Sequence, residues 1–158
     1  MAVNKYQRHI LFLPEDAANV EILNGIQLKV PFANQRKMQI LPPCGGWMDV
    51  KKKFEAEYIT YLENYSGGYV VMVVDFDGKE NRAVEVKESV PYRLLQRVFV
   101  FGSLNEPEEI KLGSLENVGK KLAQDCISAT TVTWDHEAFF HNASELARFR
   151  ETVCEILF

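Results

Sequence analysis

The run YVVMVVD, residues 69–75, limits the possible folds more than any other feature of this chain. Four of its seven residues are valines, which are β-branched and favour strands. Polar and apolar residues do not alternate along it, as they do in a strand that has one face in water. The run therefore predicts a central strand of a parallel sheet that lies between two layers of helices.

Segments with strand and helix patterns alternate along the rest of the chain, which predicts βαβ units. We expect a Rossmann-like α/β fold with a mostly parallel central sheet of four or five strands and helices on both faces. The sequence shows no internal repeat, low-complexity tract or linker, so a single domain is predicted over 1–158. The predicted strands are 8–15, 36–43, 69–75, 97–103 and a short edge strand at 130–134, and the predicted helices are 16–26, 45–68, 79–91, 114–126 and 142–158.

Composition and charge narrow the class of protein. The chain is 47% hydrophobic and 25% charged, as globular proteins are, and it lacks the run of about 20 apolar residues that a membrane span requires. Its first residues lack the apolar core of a signal peptide. A net charge of −4 gives no overall positive field for nucleic acid, although a local basic groove remains open. Cys44, Cys126 and Cys154 follow no recognised spacing, so we predict reduced thiols and a cytoplasmic location.

Acidic residues follow two of the predicted strands, at the edge of the sheet where α/β proteins bind ligands. Glu15 ends the first strand, and Asp75 and Asp77 follow the strand at 69–75. Because side chains alternate along an extended chain, Asp75 and Asp77 are expected to share one face, and Gly78 behind them permits a sharp turn. Adjacent carboxylates repel unless a cation or proton intervenes, and Mg²⁺ prefers such oxygen ligands. The alternative is structural, because aspartates after a strand also cap helices and start turns.

These segments resemble the TOPRIM domain shared by type IA topoisomerases, bacterial primases and overcoming-lysogenization-defect nucleases. The segment ILFLPEDAANVEILNGI is similar to the first TOPRIM motif, a strand, a glutamate and a helix, with Glu15 as the glutamate. The segment VVMVVDFDG is similar to the second motif, a strand that ends in Asp-x-Asp. The segment VFVFGSLNEPEEI resembles the strand and acidic segment that follow in primases. Two positions differ from the family, since Asp16 and Asn19 stand where it usually has glycine and an acidic residue.

The resemblance implies a TOPRIM-like fold whose motif-bearing core spans about 8–112, with 113–158 as a C-terminal helical extension. It implies that Glu15 acts as general acid or base at the scissile phosphate. It also implies that Asp75 and Asp77 hold Mg²⁺ or Mn²⁺, with Glu80 the nearest candidate for a supporting carboxylate. The expected activity is metal-dependent phosphodiester or phosphoryl transfer on nucleic acid, in the manner of a nuclease.

Further residues and partners follow from the sequence as hypotheses. Lys51 and Lys52 lie at the start of the helix after a glycine turn, where they are candidates for contact with phosphates. The chain is too small to carry the additional domains of topoisomerases and large nucleases, so a separate protein partner is predicted.

Two other functions remain open. The segment DFDG also resembles the first motif of haloacid-dehalogenase-type phosphatases, in which the first aspartate is the nucleophile. In that family a threonine follows the glycine, whereas Lys79 follows it here. The third hypothesis is a TOPRIM-like module that binds a partner or a nucleotide without catalysis.

Overall fold

The centre of the protein is a four-stranded, entirely parallel β-sheet. We describe it from a computed structural model, in which residues 2–158 are described. The strands are β1 (His9–Pro14), β2 (Met38–Ile40), β3 (Gly68–Val73) and β4 (Val98–Phe101), and their order across the sheet is β2-β1-β3-β4. The α/β class and the parallel sheet predicted from the sequence are confirmed, with four strands.

Helices cover both faces of this sheet, as predicted. The α-helices are α1 (Ala17–Lys29), α2 (Trp47–Lys53), α3 (Ile59–Asn64), α4 (Arg82–Lys87), α5 (Leu115–Ser128), α6 (Ala143–Phe149) and α7 (Glu155–Leu157). A single π-helical turn joins α2 to α3, and another joins α6 to α7. No helix within residues 2–158 is both long enough and apolar enough to cross a membrane.

Alternate residues of β1, β3 and β4 enter two separate hydrophobic clusters, one on each face of the sheet. Ile10 and Phe12 of β1 pack with α1, α5, α6 and α7 on the first face. Leu11 and Leu13 pack with α2, α3 and α4 on the second. Because both faces are covered, β1, β3 and β4 are buried along almost their whole length, which accounts for the unbroken apolar pattern of YVVMVVD.

The predicted edge strand at 130–134 does not form, and these residues make turns instead. The reason is Asp125 at the end of α5, whose side chain is buried. Its Oδ2 accepts hydrogen bonds from the backbone N–H groups of Thr133 and Trp134 at 2.7 and 3.2 Å. Its Oδ1 accepts one from the hydroxyl of Thr130 at 2.7 Å. These bonds hold the segment against α5 and outweigh the strand propensity of its residues.

The cysteines also differ from the prediction. Cys126 in α5 and Cys154 in the π-turn before α7 form a disulfide, so the prediction of reduced thiols is wrong for this pair. Only Cys44 is free within residues 2–158. The disulfide ties the C-terminal helices to α5 on the first face of the sheet.

Two halves of the sheet region follow the same order of elements, although the sequence shows no repeat. Each half has a central strand, a helix, a buried valine, a proline, a 3₁₀-helix and an outer strand. The 3₁₀-helices are Phe32–Lys37 before β2 and Tyr92–Arg97 before β4. Pro31 and Pro91 precede them with nearly equal backbone angles, φ −56° and −58° with ψ 147° and 141°. The sequences agree only in Val-Pro-aromatic, which is too short for a sequence search to reveal.

Candidate active site at the sheet edge

The two halves meet between β1 and β3, and there the order of the strands reverses. The chain leaves β1 toward β2 on one side and leaves β3 toward β4 on the other. A crevice forms at such a reversal beyond the carboxyl ends of the strands, and open α/β sheets bind ligands there. Glu15 follows β1 directly, and Asp75 follows β3 after one residue.

The structure brings Glu15 and Asp75 together across this crevice. The backbone N–H of Asp75 donates a hydrogen bond to Oε2 of Glu15 at 2.7 Å. The backbone N–H of Glu15 donates in turn to the carbonyl of Val73 at 2.8 Å, which continues the pairing of β1 with β3 beyond its last residue pair. A backbone donor therefore fixes the Glu15 side chain beside Asp75, although 60 positions separate the two residues in the chain.

Asp75 is the buried carboxylate of the site, with only 7% of its surface exposed. Its Oδ1 accepts a hydrogen bond from the Asn19 side chain at 3.0 Å. Burial is the main cause that raises the pKa of Asp75 to about 7; the Asn19 bond lowers it, and the carboxylates of Asp16, Glu15 and Asp77 raise it. A carboxyl with a pKa near neutrality in a crevice is a feature of functional sites.

Asn19 was not among the site residues predicted from the sequence. It is 1% exposed and belongs to a capping box at the start of α1, in which Asp16 and Asn19 each accept a hydrogen bond from the other's backbone N–H at 3.1 Å. The cap fixes the Asn19 amide so that Nδ2 points at Asp75. The spacing of three residues between Asp16 and Asn19 is typical of a capping box, but it does not predict the contact of Asn19 with Asp75.

Asp77 does not share a face with Asp75, and that prediction is wrong. Asp77 adopts a left-handed backbone conformation, φ +52°, and Gly78 follows at φ +73°, so the alternation of an extended strand ends there. Asp75 is bonded to α1 on the first face, whereas Asp77 Oδ2 lies 3.1 Å from Nη1 of Arg82 on the second. Gly78 makes the turn that the sequence predicted, and its N–H donates to the Leu104 carbonyl.

Arg82 is the second residue of the site that sequence reasoning missed. It is 3% exposed, and its guanidinium carbon lies 4.2 Å from the centroid of the Trp47 ring system. Besides the ion pair with Asp77, its Nε lies 3.7 Å from a carboxylate oxygen of Glu85. Position 82 reads as part of an ordinary charged helix, and no local signal shows that this arginine turns inward.

Glu15 experiences opposing electrostatic effects. Burial raises its pKa most, the hydrogen bond from the Asp75 N–H lowers it, the charges of Asp16 and Asp77 raise it, and Arg82 lowers it. Glu15 and Asp75 therefore both have raised pKa values. The edge of the sheet favours a positive ligand or a proton.

The remaining predicted site residues lie outside this group. Glu80 is exposed and makes no hydrogen bond within residues 2–158. Lys51 lies 3.7 Å from a carboxylate oxygen of Glu88 and 5.7 Å from the centroid of the Trp47 ring system. Lys52 is exposed on a separate surface cleft of about 660 Å³.

Whether the sheet edge can bind a metal ion depends on how many carboxylates lie close together there. Within residues 2–158, no group of three or more His, Cys, Asp or Glu side chains is placed to hold one. Mg²⁺, however, is commonly bound by one or two carboxylates, with water and substrate phosphates as its other ligands. Glu15 and Asp75 fit that mode, because Oε1 of Glu15 and Oδ2 of Asp75 accept no hydrogen bond from the described residues.

Comparisons with family models, curated proteins and solved structures gave no match for this chain.

Proposed function

We propose that this protein is a TOPRIM-like, divalent-cation-dependent protein that acts on the phosphodiester groups of nucleic acid in the manner of a nuclease. The observation that supports this most is the 2.7 Å hydrogen bond from the Asp75 N–H to Glu15. It places two acidic residues next to each other, with the Glu15 side chain against the backbone of Asp75, at the point of the sheet where ligands bind. One of them, Asp75, is buried without a positively charged partner of its own.

In this proposal Glu15 and Asp75 hold Mg²⁺ or Mn²⁺. The cation would stabilise negative charge on the phosphoryl group. Asn19 orients the Asp75 carboxylate, and the Asp75 N–H orients Glu15. The geometry favours Glu15 over Asp77 as the second ligand, because Asp77 is ion-paired with Arg82. The proton-transfer role of Glu15 and the metal-binding role of Asp77 stay predictions.

The test combines metal binding with cleavage. Binding of Mn²⁺ is measured by electron paramagnetic resonance, and cleavage is measured on single- and double-stranded DNA and RNA with Mg²⁺ or Mn²⁺. We expect Glu15→Gln and Asp75→Asn each to abolish both signals. Glu80→Gln is the matched control, because Glu80 is exposed and makes no hydrogen bond within the described chain. Metal binding that survives both site variants would refute the proposal.

A second candidate function is binding without catalysis. It is favoured by the Asp77–Arg82 ion pair, in which the protein itself neutralises one of the predicted metal ligands. The same experiments separate the two, since a binding module would retain nucleic acid or nucleotide and leave it intact. The phosphatase hypothesis has less support, because Lys79 stands where that family has a threonine and because Asp77, its general acid, is ion-paired with Arg82.

The predicted protein partner and cytoplasmic location also belong to this proposal. Size-exclusion chromatography of tagged protein from cells would test for the partner. A monomer that is active alone would contradict the prediction of a partner. The Cys126–Cys154 disulfide does not support the location, since cytosolic proteins rarely retain disulfides.

A further inference from the structure

The Arg82 side chain is buried, positively charged and largely without hydrogen-bond partners. A guanidinium carries five N–H donors in a planar fork. Here one donor, on Nη1, is bonded to Asp77. Nε is fully buried without a hydrogen-bond partner, 3.7 Å from a Glu85 carboxylate oxygen, whereas Nη2 donates to no residue from 2 to 158 and is not fully buried, so it is the donor that a ligand can reach. An unmet buried donor costs about 1 to 3 kcal/mol, so its persistence at a ligand-binding edge calls for an explanation.

Two contacts hold this guanidinium in one orientation. Its guanidinium carbon lies over the Trp47 ring system, 4.2 Å from the centroid. Its Nη1 is held by Asp77, whose left-handed backbone is fixed by hydrogen bonds from the flanking Phe76 and Gly78 N–H groups to the carbonyls of Ser103 and Leu104. A preorganised guanidinium loses little conformational entropy when it binds a ligand.

The chemistry of the unmet donors selects the ligand. A planar fork of N–H groups matches an anion with several acceptor oxygens, above all a phosphoryl group, which it binds by two parallel hydrogen bonds. Arg82 also lies close enough to Glu15 to lower the pKa of that carboxyl. The ion pair of Arg82 with Asp77, two residues after Asp75, places a phosphoryl group on Arg82 at the same edge of the sheet.

We propose that Arg82 is a phosphate-binding residue of this site, that it takes the phosphoryl group of a phosphate ester, and that Trp47 and Asp77 hold it in place. The inference rests on the proposed function in its choice of ligand, but it concerns anion binding and not the cation. It gives Asp77 a role that differs from metal ligation. It also explains why an aspartate adopts a backbone conformation that favours glycine.

The experiment measures phosphate binding and metal binding separately in Arg82→Lys. The probes are a short single-stranded oligonucleotide, followed by fluorescence anisotropy, and Mn²⁺ alone, followed by electron paramagnetic resonance. Lysine keeps the charge and loses the fork, so we expect the oligonucleotide to bind about tenfold more weakly. Mn²⁺ affinity should change less than about twofold, because neither carboxylate is altered. Arg93→Lys is the matched control, since Arg93 is exposed and paired with Glu63.

A second measurement needs no variant and covers the case in which Arg82→Lys fails to fold. The buried Nε–H of Arg82 should give a slowly exchanging signal in the ¹⁵N spectrum of the wild-type protein. We expect this signal to shift when inorganic phosphate is added. A signal that stays in place, or oligonucleotide binding that is the same in Arg82→Lys and wild type, overturns the inference.

The outcomes distinguish the inference from the proposed function. Mn²⁺ binding without any binding of phosphate or oligonucleotide refutes the role of Arg82 and leaves the carboxylate site standing. Phosphate binding that depends on Arg82, with no binding of Mn²⁺, supports the inference and refutes the cation-dependent function.

Discussion

Replacement of Asp75 by asparagine tests how much the buried charge of this residue destabilises the folded protein. Asparagine has the shape of the protonated carboxyl and keeps a side-chain oxygen that can accept from Asn19, but it carries no charge. If Asp75 is a buried carboxylate that lacks its natural cation, its ionised form destabilises the folded protein. We therefore expect Asp75→Asn to increase stability at alkaline pH in the absence of metal ions.

The raised pKa of Asp75 sets the size and sign of this effect. Because the folded-state pKa, about 7, exceeds the ordinary value of 3.8, the folded protein favours the protonated form. The associated stabilisation is fully present below about pH 4 and is lost as the pH rises through about 7. The difference between the two pKa values corresponds to about 4 kcal/mol at most, and solvent screening at the sheet edge reduces this to about 2 kcal/mol.

The assay is urea unfolding, followed by circular dichroism, of wild type and Asp75→Asn between about pH 4 and pH 8 with a chelator present. The quantity of interest is the difference in free energy of unfolding between the two proteins, because other titrating groups cancel in it. We expect no advantage for the variant at the acid end and about 2 kcal/mol at the alkaline end. Saturating Mg²⁺ should then stabilise wild type and leave Asp75→Asn unchanged. A difference that does not vary with pH would refute the buried, perturbed carboxyl.

Three further changes test features that hold the fold. Gly119→Ala should destabilise the protein by about 3 kcal/mol, because the new Cβ would lie 1.8 Å from the Ile22 carbonyl oxygen and force α5 away from α1, as thermal unfolding would show. Cys154→Ser should lower the free energy of unfolding in urea by about 3 to 4 kcal/mol, because it removes the disulfide between Cys126 and Cys154, which are 28 positions apart. Asp125→Ala should cost about 3 kcal/mol and expose the segment after α5 to limited proteolysis, because three hydrogen-bond donors lose their acceptor.

Each of these changes has a control on the same chain. Lys121→Ala alters an exposed position of α5 and should leave the thermal midpoint nearly unchanged. Cys44→Ser removes the free thiol and should not reproduce the loss seen with Cys154→Ser. Glu137→Ala removes an exposed carboxylate of the same segment that accepts no hydrogen bond from residues 2–158, and proteolysis there should resemble wild type. Equal effects in variant and control would contradict the structural explanation in each case.

The parts of the fold that depend on local patterns were predictable from the sequence. The valine run became β3 because burial on both faces requires only apolar, β-branched residues in succession. Ser114 caps α5 as its residue type suggests, and its hydroxyl accepts from the Asn117 N–H at 3.2 Å. The position of Glu15 beside Asp75 also followed, because carboxyl ends of neighbouring parallel strands meet at one edge.

The parts that depend on distant partners or on single backbone angles were not predictable. Thr133 and its neighbours have strand propensity, but a buried carboxylate eight positions earlier uses their N–H groups. Asp77 leaves the extended conformation at one dihedral angle, and this moves its side chain to the other face of the sheet. Arg82 points inward because Trp47, on a different helix, offers it an aromatic surface. A linear pattern contains none of these relationships.

The boundary between the two halves has a mechanical consequence for a ligand that binds at the sheet edge. Glu15 belongs to the first half and Asp75 to the second, and the boundary between the halves is the β1–β3 pairing. A ligand bound by both residues would link the two halves across the β1–β3 pairing. The two strands could then separate only after the ligand dissociates. Local unfolding of β1 and of β3 would therefore occur together. Occupancy could then be read from hydrogen exchange of strand amides that never contact the ligand.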